Sequence, residues 1–521
     1  MPLRHRPGMH EGVSRRHGSG TRPVNTDLAR RATRGTMWSA AGTWLSRVSV
    51  LVVIVVLARH LDAREFGVLG VATLAANVAL QLDDGGLSDA LVWWRGLVRE
   101  AAETALLGCV ALGAAIAGVL ALAAPAIAAV FHAPDATPLL RVYAIAVLAD
   151  AIAGVYLGML TRELAFRARF FPEVVPALCG GLATVGLALN GAGVWSLVIG
   201  DVLCSGLRLV IGFLIVGRRM VPRWHREVAL GLWRYGRAAL AGSFLEFALQ
   251  NVDYALVGLL LGPVALGLYT IAFRVAILPF LIVTYVIAGV AFPLYARITA
   301  DSAAVQRVME LTMRACCSLV FLMGAGLATL APFLDVLGHR WQPAVPVARL
   351  LGVYICLRSP AFMLSMLLRV VNPTANALLR GAWVLLLIAL IATVGRAGII
   401  AVGAIQVGVA APMLGAFLVV TRRLAAISIA TLVADIARAG VAALSAAAAT
   451  IALYRGVGAL SNPSSIGALL VLCATFCGVY VVALALIMPR AAGDLRRLRE
   501  MAARPALGAA VSTPSTDPSQ S

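Results

Sequence analysis

The sequence predicts an all-α, polytopic membrane protein with about 14 transmembrane helices in two pseudo-symmetric lobes. Of its 521 residues, 61% are hydrophobic and only 13% are charged, whereas soluble domains are about half apolar and a quarter charged. Apolar runs of about 18–24 residues recur along nearly the whole chain, and this is the length of a helix that crosses a bilayer. Such uninterrupted runs exclude an outer-membrane β-barrel, whose strands alternate polar and apolar residues.

The apolar runs predict fourteen spans, with boundaries good to a few residues. The first 35 residues are polar and basic, too long for the start of a signal peptide, so the first span is expected to stay uncleaved. The predicted organisation is a disordered basic cytoplasmic tail (1–35), an N-lobe helix bundle (36–217), a cytoplasmic inter-lobe linker (218–231), a C-lobe helix bundle (232–423), an additional C-terminal helix pair (424–489) and a disordered cytoplasmic tail (490–521). The spans begin near Met37, Phe66, Glu103, Leu139, Pro172, Val194, Gly236, Gly267, Gln306, Val347, Ala377, Gly398, Asp435 and Ile466.

The positive charge follows the pattern of an orientation signal rather than of a nucleic-acid site. The net charge is +19, and because the chain has no Lys, all 43 basic residues are Arg. Short loops rich in Arg stay in the cytoplasm, and the loops "NGAG" and "LGPVA" on the other side contain none. Both termini are therefore expected inside, with some attraction to anionic headgroups of membrane lipids. The inner-loop arginines are Arg162, Arg167, Arg169, Arg218, Arg219, Arg223, Arg226, Arg297, Arg307, Arg422 and Arg423.

The residue inventory also narrows the chemistry. Without Lys the chain cannot form a P-loop ATPase site or a Schiff base. Its eight Cys have no zinc or redox spacing and are interpreted as small apolar helix residues, and its seven His are dispersed. We therefore expect no metal, no cofactor and no enzymatic activity.

The chain repeats itself at an offset of about 200 residues. The segment "LARHLDAREFGVLGVA" (57–72) aligns with "VGLLLGPVALGLYTIA" (257–272), so that Gly67 matches Gly267 and Ala72 matches Ala272. Both copies cover a span, a short outer loop and a span, and six spans separate them. The repeat is therefore parallel, which predicts two lobes related by an axis along the membrane normal and a site at their interface.

Eight ionisable residues lie well inside the predicted spans. Each would cost roughly 2.5–3.5 kcal/mol facing lipid at a helix centre, and the sum of order 20 kcal/mol exceeds a typical folding stability. They should therefore pair with one another or face a water-filled cavity. They are Arg47, Asp150, Asp201, Arg208, Glu246, Asp253, Arg274 and Arg358.

One face of the seventh span carries Glu246, Gln250 and Asp253, which are spaced at i, i+4 and i+7. Asp253 and Arg274 lie at equal depth on two helices joined by a short loop, which predicts an Asp253–Arg274 pair, structural or functional. In the 200-residue repeat, Leu74 aligns with Arg274. The scaffold is thus shared while the charges are not, which favours a role for the charges in binding an asymmetric cargo.

Arginine suits anionic cargo because guanidinium binds phosphate and carboxylate in a bidentate manner. The balance of four buried Arg against four buried carboxylates does not by itself separate an anion carrier from a drug or cation exporter. Aromatic residues near the mouths of the lobes could stack on sugars or form interfacial belts. These are Trp38, Trp44, Tyr143, Tyr156, Tyr254, Tyr269 and Tyr285.

Six segments of the chain carry a recognisable pattern. The first is "TMWSAAGTWLSRVSVLVVIVVLARHLDAREFGVLGVATLAANVALQLDDGGLSDALV" (36–92). The others are "TRELAFRARF" (161–170), "GAGVWSLVIGD" (191–201), "NVDYALVGLLLGPVALGLYTIAFRVAILP" (251–279), "VAFPLYARITAD" (290–301) and "LGHRWQPAVPVARLLG" (337–352). Together these segments resemble the bacterial polysaccharide-repeat (oligosaccharidyl-lipid) flippases of the multidrug/oligosaccharidyl-lipid/polysaccharide exporter superfamily, closest to the colanic-acid and teichuronic-acid type branch. One departure is Gly85, which replaces the Leu usual in that family.

The resemblance implies a V-shaped bundle in a bacterial plasma membrane that flips polyprenyl-diphosphate-linked oligosaccharide by alternating access. Arg47 and Arg274 would bind the diphosphate, with Asp253 as partner, and Arg208 and Arg358 are further cavity candidates. The remaining charge-partner or coupling candidates are Glu246, Gln250, Asp201 and Asp150. A polysaccharide polymerase and glycosyltransferases are the implied partners, while the glycan and the driving force stay open.

Four other functions compete with this one. A lipid II-type flippase and a drug/cation antiporter belong to the same superfamily, and the antiporter would favour an acidic cavity. A membrane enzyme such as a polysaccharide polymerase or glycosyltransferase should show a large polar outer loop or an Asp-rich motif, and the sequence has neither. A scaffold subunit that transports nothing would not need asymmetric buried charges.

Overall fold

The computed structural model describes residues 49–50, 52–94, 96–163, 165–216, 220–298, 301–333, 338–425, 427–457 and 466–488. The described residues contain α-helices and no strand, so the predicted all-α class is confirmed. Both predicted tails lie outside the described residues. The helices are α1 (49–50 and 52–60), α2 (Ala63–Leu82), α3 (Leu87–Trp93), α4 (Val98–Val130), α5 (Ala136–Arg162), α6 (Phe166–Leu189), α7 (Trp195–Ile215), α8 (Arg226–Ala276), α9 (Tyr285–Ile298), α10 (Ser302–Leu330), α11 (Val345–Val371), α12 (Pro373–Val394), α13 (Ile399–Ala425), α14 (Ala430–Gly456) and α15 (Ile466–Ile487).

Twelve segments of the described chain are long and apolar enough to cross a membrane. One of them, Gly242–Gly289, is 48 residues long and contains two of the predicted spans. The helix α1 is the described end of the first predicted span. The fourteen predicted spans are thereby accounted for, and the prediction of a polytopic membrane protein is confirmed.

The helix α8 reverses direction at Gly262, where the backbone leaves helical geometry at φ 80° and ψ −178° and Pro263 follows. A positive φ suits glycine because it has no Cβ. The hydroxyl of Tyr269 donates a hydrogen bond to Asp253 over 2.6 Å, although in a straight helix residues 16 apart would be about 24 Å apart. The segments 226–261 and 263–276 therefore run side by side, and we call them the first and second arms of α8.

Local capping fixes where several helices begin. Asp62 and Glu65 form a reciprocal capping box at the start of α2, with hydrogen bonds of 2.7 and 2.8 Å. Asp301 accepts from the N–H groups of the first turn of α10, and Asn372 does so at the start of α12, directly before Pro373.

The helices form two packed groups. In the first group α2 and α4 pack on α5, and α5 and α6 both pack on α7. In the second, α11 packs on α10 and α13, and α12 packs on α13 and on α8. The pair α14 and α15 packs together and against α10. The lobe and linker boundaries drawn from the sequence remain predictions.

The two groups meet closely at the end of the bundle where α8 reverses, which we call the reversal end. A Cβ added to Gly67 would lie 2.9 Å from the Cα of Pro263 and closer still to its carbonyl group. A Cβ added to Gly267 would likewise overlap the carbonyl group of Ala63. Gly67 thus approaches Pro263, which lies four residues before Gly267, and Gly267 approaches Ala63, which lies four residues before Gly67. This contact therefore has the two-fold symmetry that the sequence repeat predicts. We call it the glycine contact.

A second contact at the reversal end involves a short 3-10 helix, His339–Ala344. The indole N–H of the buried Trp341 donates to the carbonyl oxygen of Ala58 over 2.8 Å, and its ring packs edge-on against Phe66. The guanidinium of Arg340 donates to the carbonyl oxygen of Leu61 over 3.0 Å. These bonds satisfy carbonyl groups at the end of α1, which have no partner within their own helix.

The groups also touch at the opposite end, where residues 220–225 lead into α8, which we call the linker end. Gly236 of the first arm lies against the backbone of Gly85 and Gly86, so a Cβ there would be 2.8 Å from the carbonyl oxygen of Gly85. The indole ring of Trp94 packs over Gly231 at the same end. The described lobes are thus in contact at both ends, with space between them at mid-depth.

Candidate functional site

A cavity of about 770 Å³ lies between the two ends, within the size range of sites for small molecules. Helices α1, α2, α5, α6 and α7 line most of its wall, and the second arm of α8 with the π-helical turn Phe280–Thr284 closes the remaining side. Both lobes therefore contribute to one cavity. Its charged lining residues are Asp150, Glu173, Asp201, Arg208 and Arg274.

Two helices of the first lobe supply an ion pair to this cavity. The guanidinium of Arg208 on α7 donates to Asp150 on α5 over 2.6 Å, and the hydroxyl of Ser205 donates to the other carboxylate oxygen over 2.7 Å. The side chains of Arg208 and Asp150 are 30% and 16% exposed. Most of the charge of Arg208 is therefore balanced by Asp150.

On α7, Asp201 lies one turn before Ser205 and two turns before Arg208, and it faces the same cavity. Its carboxylate accepts a hydrogen bond of 2.8 Å from the hydroxyl of the buried Tyr143 on α5. No cation among the described residues lies within 4.0 Å of it. Asp201 is therefore oriented by a hydrogen bond but keeps its negative charge available.

Arg274 enters the cavity from the second lobe, on the second arm of α8. No described carboxylate lies within 4.0 Å of its guanidinium. Its charge acts electrostatically on Asp201 and Tyr143 across the cavity. In the described part of the chain, Arg274 is thus a cavity cation without an ion-pair partner.

The predicted Asp253–Arg274 pair is not formed in the described structure. Asp253, only 1% exposed, accepts hydrogen bonds from Tyr269 over 2.6 Å and from the amide of Gln406 over 2.7 Å. The depth inferred for the two charges does not bring them together, because Arg274 faces the first lobe while Asp253 faces α13. The prediction of an Asp253–Arg274 pair was therefore wrong.

A second polar cluster lies in the second lobe around Glu246. Gln250 donates to Glu246 over 2.6 Å, which confirms that these two residues share a helix face. Arg380 on α12, 6% exposed, forms an ion pair with Glu246, and Arg369 lies 3.9 Å away. The negative charge of Glu246 is therefore balanced by arginines from other helices.

Arg358 is buried in the second lobe beside this cluster. It is 3% exposed, donates to the hydroxyl of Tyr354 over 3.1 Å, and places its guanidinium 4.8 Å from the ring centre of Phe280. This is cation–π geometry. Arg358 does not line the 770 Å³ cavity but a much smaller cleft next to Glu246 and Arg380.

The structure therefore places four of the predicted site residues in one cavity and four in the second lobe. The cavity set is Asp150, Asp201, Arg208 and Arg274, and the second-lobe set is Glu246, Gln250, Asp253 and Arg358. The ninth, Arg47, lies outside the described residues.

Sequence reasoning missed two residues of the second-lobe clusters. Arg380 was too near the predicted start of its span to be counted as buried, yet it is buried in the structure. Gln406 carries no charge and so escaped a search for ionisable groups. The sequence did contain a signal for Gln406, since Gln406 and Asp201 each follow a glycine, Gly398 and Gly193, at the same spacing. In the structure both glycines have a positive φ. The two lobes thus place different polar groups at matching positions.

Two known proteins are similar to this chain in sequence. The succinoglycan biosynthesis transport protein ExoT of Rhizobium meliloti (strain 1021) is 27% identical over 383 residues, covering 73% of this chain and 75% of that protein. The lipopolysaccharide biosynthesis protein WzxC of Escherichia coli (strain K12) is 26% identical over 338 residues, covering 64% of this chain and 68% of that protein.

Two solved structures share the fold. The lipid II flippase MurJ in its inward closed conformation superposes with a TM-score of 0.68 at 13% identity, covering 87% of this chain and 98% of that chain. An inward-facing multidrug resistance MATE family transporter of the MOP superfamily gives 0.56 at 16%, covering 73% and 95%. At these identities the likeness shows the fold alone. A family model described as "Polysaccharide biosynthesis protein" matches residues 56–346, more than half of the chain, and the protein therefore belongs to this polysaccharide biosynthesis family.

Proposed function

We propose that this protein flips polyprenyl-diphosphate-linked oligosaccharide repeat units across a bacterial plasma membrane by alternating access, for export of a cell-surface polysaccharide. Family membership and the transport proteins among its relatives support the class of cargo. The observation that carries the assignment is the unpaired Arg274 in the cavity between the lobes. The cargo's diphosphate is the group that this guanidinium is placed to bind.

The chemistry of the cavity supports an anionic group beside Arg274. Arg208 already has Asp150 as its counter-ion, so it is less available than Arg274. A guanidinium binds phosphate through two parallel hydrogen bonds, and such charge-assisted bonds are the strong ones. Arg47, which the sequence predicts in the lobe opposite that of Arg274, is the proposed second arginine that binds the diphosphate.

Asp201 has a complementary role in the empty cavity. Its negative charge faces Arg274 across the cavity while Tyr143 holds its carboxylate by a 2.8 Å hydrogen bond. This arrangement lowers the cost of keeping Arg274 inside a membrane protein without cargo. A diphosphate that enters takes over from Asp201 as the anion that faces Arg274, and the sugars occupy the remaining volume.

The second-lobe cluster is proposed to couple transport to its driving force. Asp253, Glu246 and Gln250 are buried or half-buried and bonded to groups on other helices. Motion of α8 relative to α12 and α13 would break these bonds. This makes the cluster suited to respond to an ion or to the membrane potential, without indicating which.

The decisive experiment is substitution of Arg274 in the full chain reconstituted in vesicles with a labelled polyprenyl-diphosphate oligosaccharide. Arg274→Ala is expected to abolish flipping at normal protein levels, and Arg274→Lys to retain part of it, because ammonium keeps the charge but not the bidentate geometry. The exposed Arg396→Ala serves as the matched control and should flip normally. Normal flipping by Arg274→Ala would refute the diphosphate role.

The same assay separates the competing functions. Vesicles with lipid II in place of the oligosaccharide lipid test a peptidoglycan-precursor flippase, and efflux of a cationic dye tests a drug/cation antiporter. Preference for lipid II, or dye efflux dependent on Asp201, would replace the proposal. A polysaccharide polymerase and glycosyltransferases are the proposed partners on the two sides of the membrane, because they consume and supply such cargo.

Orientation is a separate proposal, which is that both termini lie in the cytoplasm. It rests on the arginine-rich loops at the linker end and on the loops "NGAG" and "LGPVA" at the reversal end, which contain no arginine. Reporter fusions at residues 191 and 521 test it: an alkaline phosphatase should be active at the first position and inactive at the second. The opposite pattern would invert the topology.

A further inference from the structure

The last turn of α1 lacks a hydrogen bond that a continuing helix would give it. The N–H of Leu61 donates to the carbonyl oxygen of Leu57 over 2.8 Å, but the N–H of Asp62 donates to Glu65 in the capping box of α2. The carbonyl oxygen of Ala58, which the N–H of Asp62 would otherwise serve, therefore needs another donor. Ala58 is fully buried, so that donor must come from the protein.

The second lobe supplies the missing donors. Trp341 donates its indole N–H to the carbonyl oxygen of Ala58 over 2.8 Å. Arg340 donates to the carbonyl oxygens of Leu61 and Arg59 over 3.0 and 3.3 Å. Three hydrogen bonds thus cross from one lobe to the other and end on one turn of α1. We call the two donor residues the Arg340–Trp341 pair.

The first lobe makes the matching contact with a ring that cannot donate. Ala58 and Gly258 are partners in the 200-residue repeat, and the ring of Phe131, at the end of α4, lies over Gly258 on the first arm of α8. A Cβ added to Gly258 would be 2.8 Å from that ring. Each lobe thus places an aromatic ring against a helix end of the other lobe. The ring of Trp341 forms a hydrogen bond there, whereas the phenyl ring of Phe131 has no N–H.

The turns of α1 that precede the bonded end form part of the cavity wall. Val50, Val53 and Ile54 line the cavity, and Ile54 lies one turn before Ala58. The second lobe therefore holds one end of a helix whose preceding turns face the cargo space. Because a helix moves as a stiff element, a displacement of α1 at the cavity acts on the bond between Trp341 and Ala58.

We propose that the Arg340–Trp341 pair is a latch on α1 that holds the reversal end closed, and that this end opens by breaking the bond from Trp341 while Phe131 slides over Gly258. In the open state water reaches the freed carbonyl groups, so their desolvation cost disappears. The closed state alone depends on the indole N–H. The latch rests on the alternating-access part of the proposed function, but on neither the cargo nor Arg274.

The test is Trp341→Phe, which keeps an aromatic ring beside Phe66 but removes the donor. Pulsed electron paramagnetic resonance, in detergent and without cargo, measures the distance between spin labels at Asn190 and Arg396, exposed residues of the two lobes at the reversal end. A buried carbonyl group left without a donor should raise the open-to-closed ratio roughly 5- to 150-fold. Arg340→Gln should raise it only about two- to fivefold, because Arg340 is exposed and water replaces its bonds.

Trp383→Phe is the matched control. Trp383 is 3% exposed on α12 within the second lobe, and its indole N–H has no hydrogen-bond partner among the described residues. The substitution removes the same group without touching the lobe contact, so the distance distribution should not change. Phe131→Leu, on the side where the ring donates nothing, should shift the distribution less than Trp341→Phe does.

Two results would overturn the latch. One is an unchanged distance distribution in Trp341→Phe, and the other is a shift in Trp383→Phe or Phe131→Leu as large as that in Trp341→Phe. A thermal unfolding midpoint shows whether Trp341→Phe keeps the fold; where it does not, the exposed Arg340→Gln decides, and no shift there overturns the latch as well. Because no cargo is present, these results are separate from the flipping assay of Arg274→Ala, which tests the proposed function.

Discussion

Replacing Gly67 with Ala is expected to open the reversal end of the bundle. An added Cβ would lie 2.9 Å from the Cα of Pro263 and nearer still to its carbonyl group. Ordinary contact begins at 3.4 Å, so the two backbones would have to separate, by about 1 Å or more at the carbonyl group. Neither partner is a flexible side chain that could rotate away.

The cost of this overlap falls on the closed state of the reversal end only. Inserting a methyl group into a well-packed contact typically costs 1–3 kcal/mol. A free-energy change of that size between two conformations shifts their ratio by roughly 5- to 150-fold. The state in which the lobes touch at Gly67 should therefore lose population by that factor.

The symmetry of the glycine contact supplies an internal check. Gly267 approaches the backbone of Ala63 as closely as Gly67 approaches that of Pro263, so Gly267→Ala should open the same end to a similar extent. Gly118→Ala is the matched control, because a Cβ there would meet nothing within 4 Å. It should leave the conformational equilibrium unchanged.

Pulsed electron paramagnetic resonance measures the effect directly. Spin labels at Asn190 and Arg396, two exposed residues at the reversal end, report the distance between the lobes in a chain whose eight native cysteines have been replaced. Gly67→Ala and Gly267→Ala should shift the distance distribution to longer values. An unchanged distribution in both variants, with folding intact, would refute the inference that the glycine contact closes this end.

Two further predictions concern the buried ion pairs. Asp150→Asn should lower the free energy of unfolding by about 1–2 kcal/mol, less than for a fully buried pair since both partners are partly exposed, and Arg208→Gln on top of it should restore most of the loss. Glu246→Gln should cost about 3 kcal/mol because Arg380 is 6% exposed and would be left uncompensated, while the double variant Glu246→Gln/Arg380→Gln should recover part of the loss. Thermal unfolding in detergent measures both, and a double variant no more stable than the single would contradict either pairing.

Span positions could be predicted from the sequence because a membrane span is a local property of composition. An apolar run of the right length forms a helix in lipid whatever its neighbours are, since every backbone group must be bonded internally. The helices α4 and α12 begin before the predicted Glu103 and Ala377, at Val98 and Pro373, because helices continue past the apolar core into the interface. The reversal at Gly262 was predictable from the short "LGPVA" loop.

Pairing of the buried charges could not be predicted in the same way. Sequence spacing gave the depth of Asp253 and Arg274 but not the rotation of their helices, and rotation decides which lobe a side chain faces. The bonds of Asp253 to Gln406 and of Asp201 to Tyr143 join helices far apart in the chain. Such contacts depend on packing, for which one sequence without its relatives carries little signal.

The arrangement of groups in the cavity links charge to motion. Arg274 is carried by α8 and Asp201 by α7, and the two face one cavity across the lobe interface. Any rocking of the lobes therefore changes the separation of this cation and this anion, which a pair within one lobe such as Asp150 and Arg208 would not experience. An anion bound by Arg274 replaces the attraction of Asp201 and so removes one force that draws the lobes together. The same glycine scaffold in both lobes, with different charges on each, thus allows a symmetric motion to respond to an asymmetric cargo.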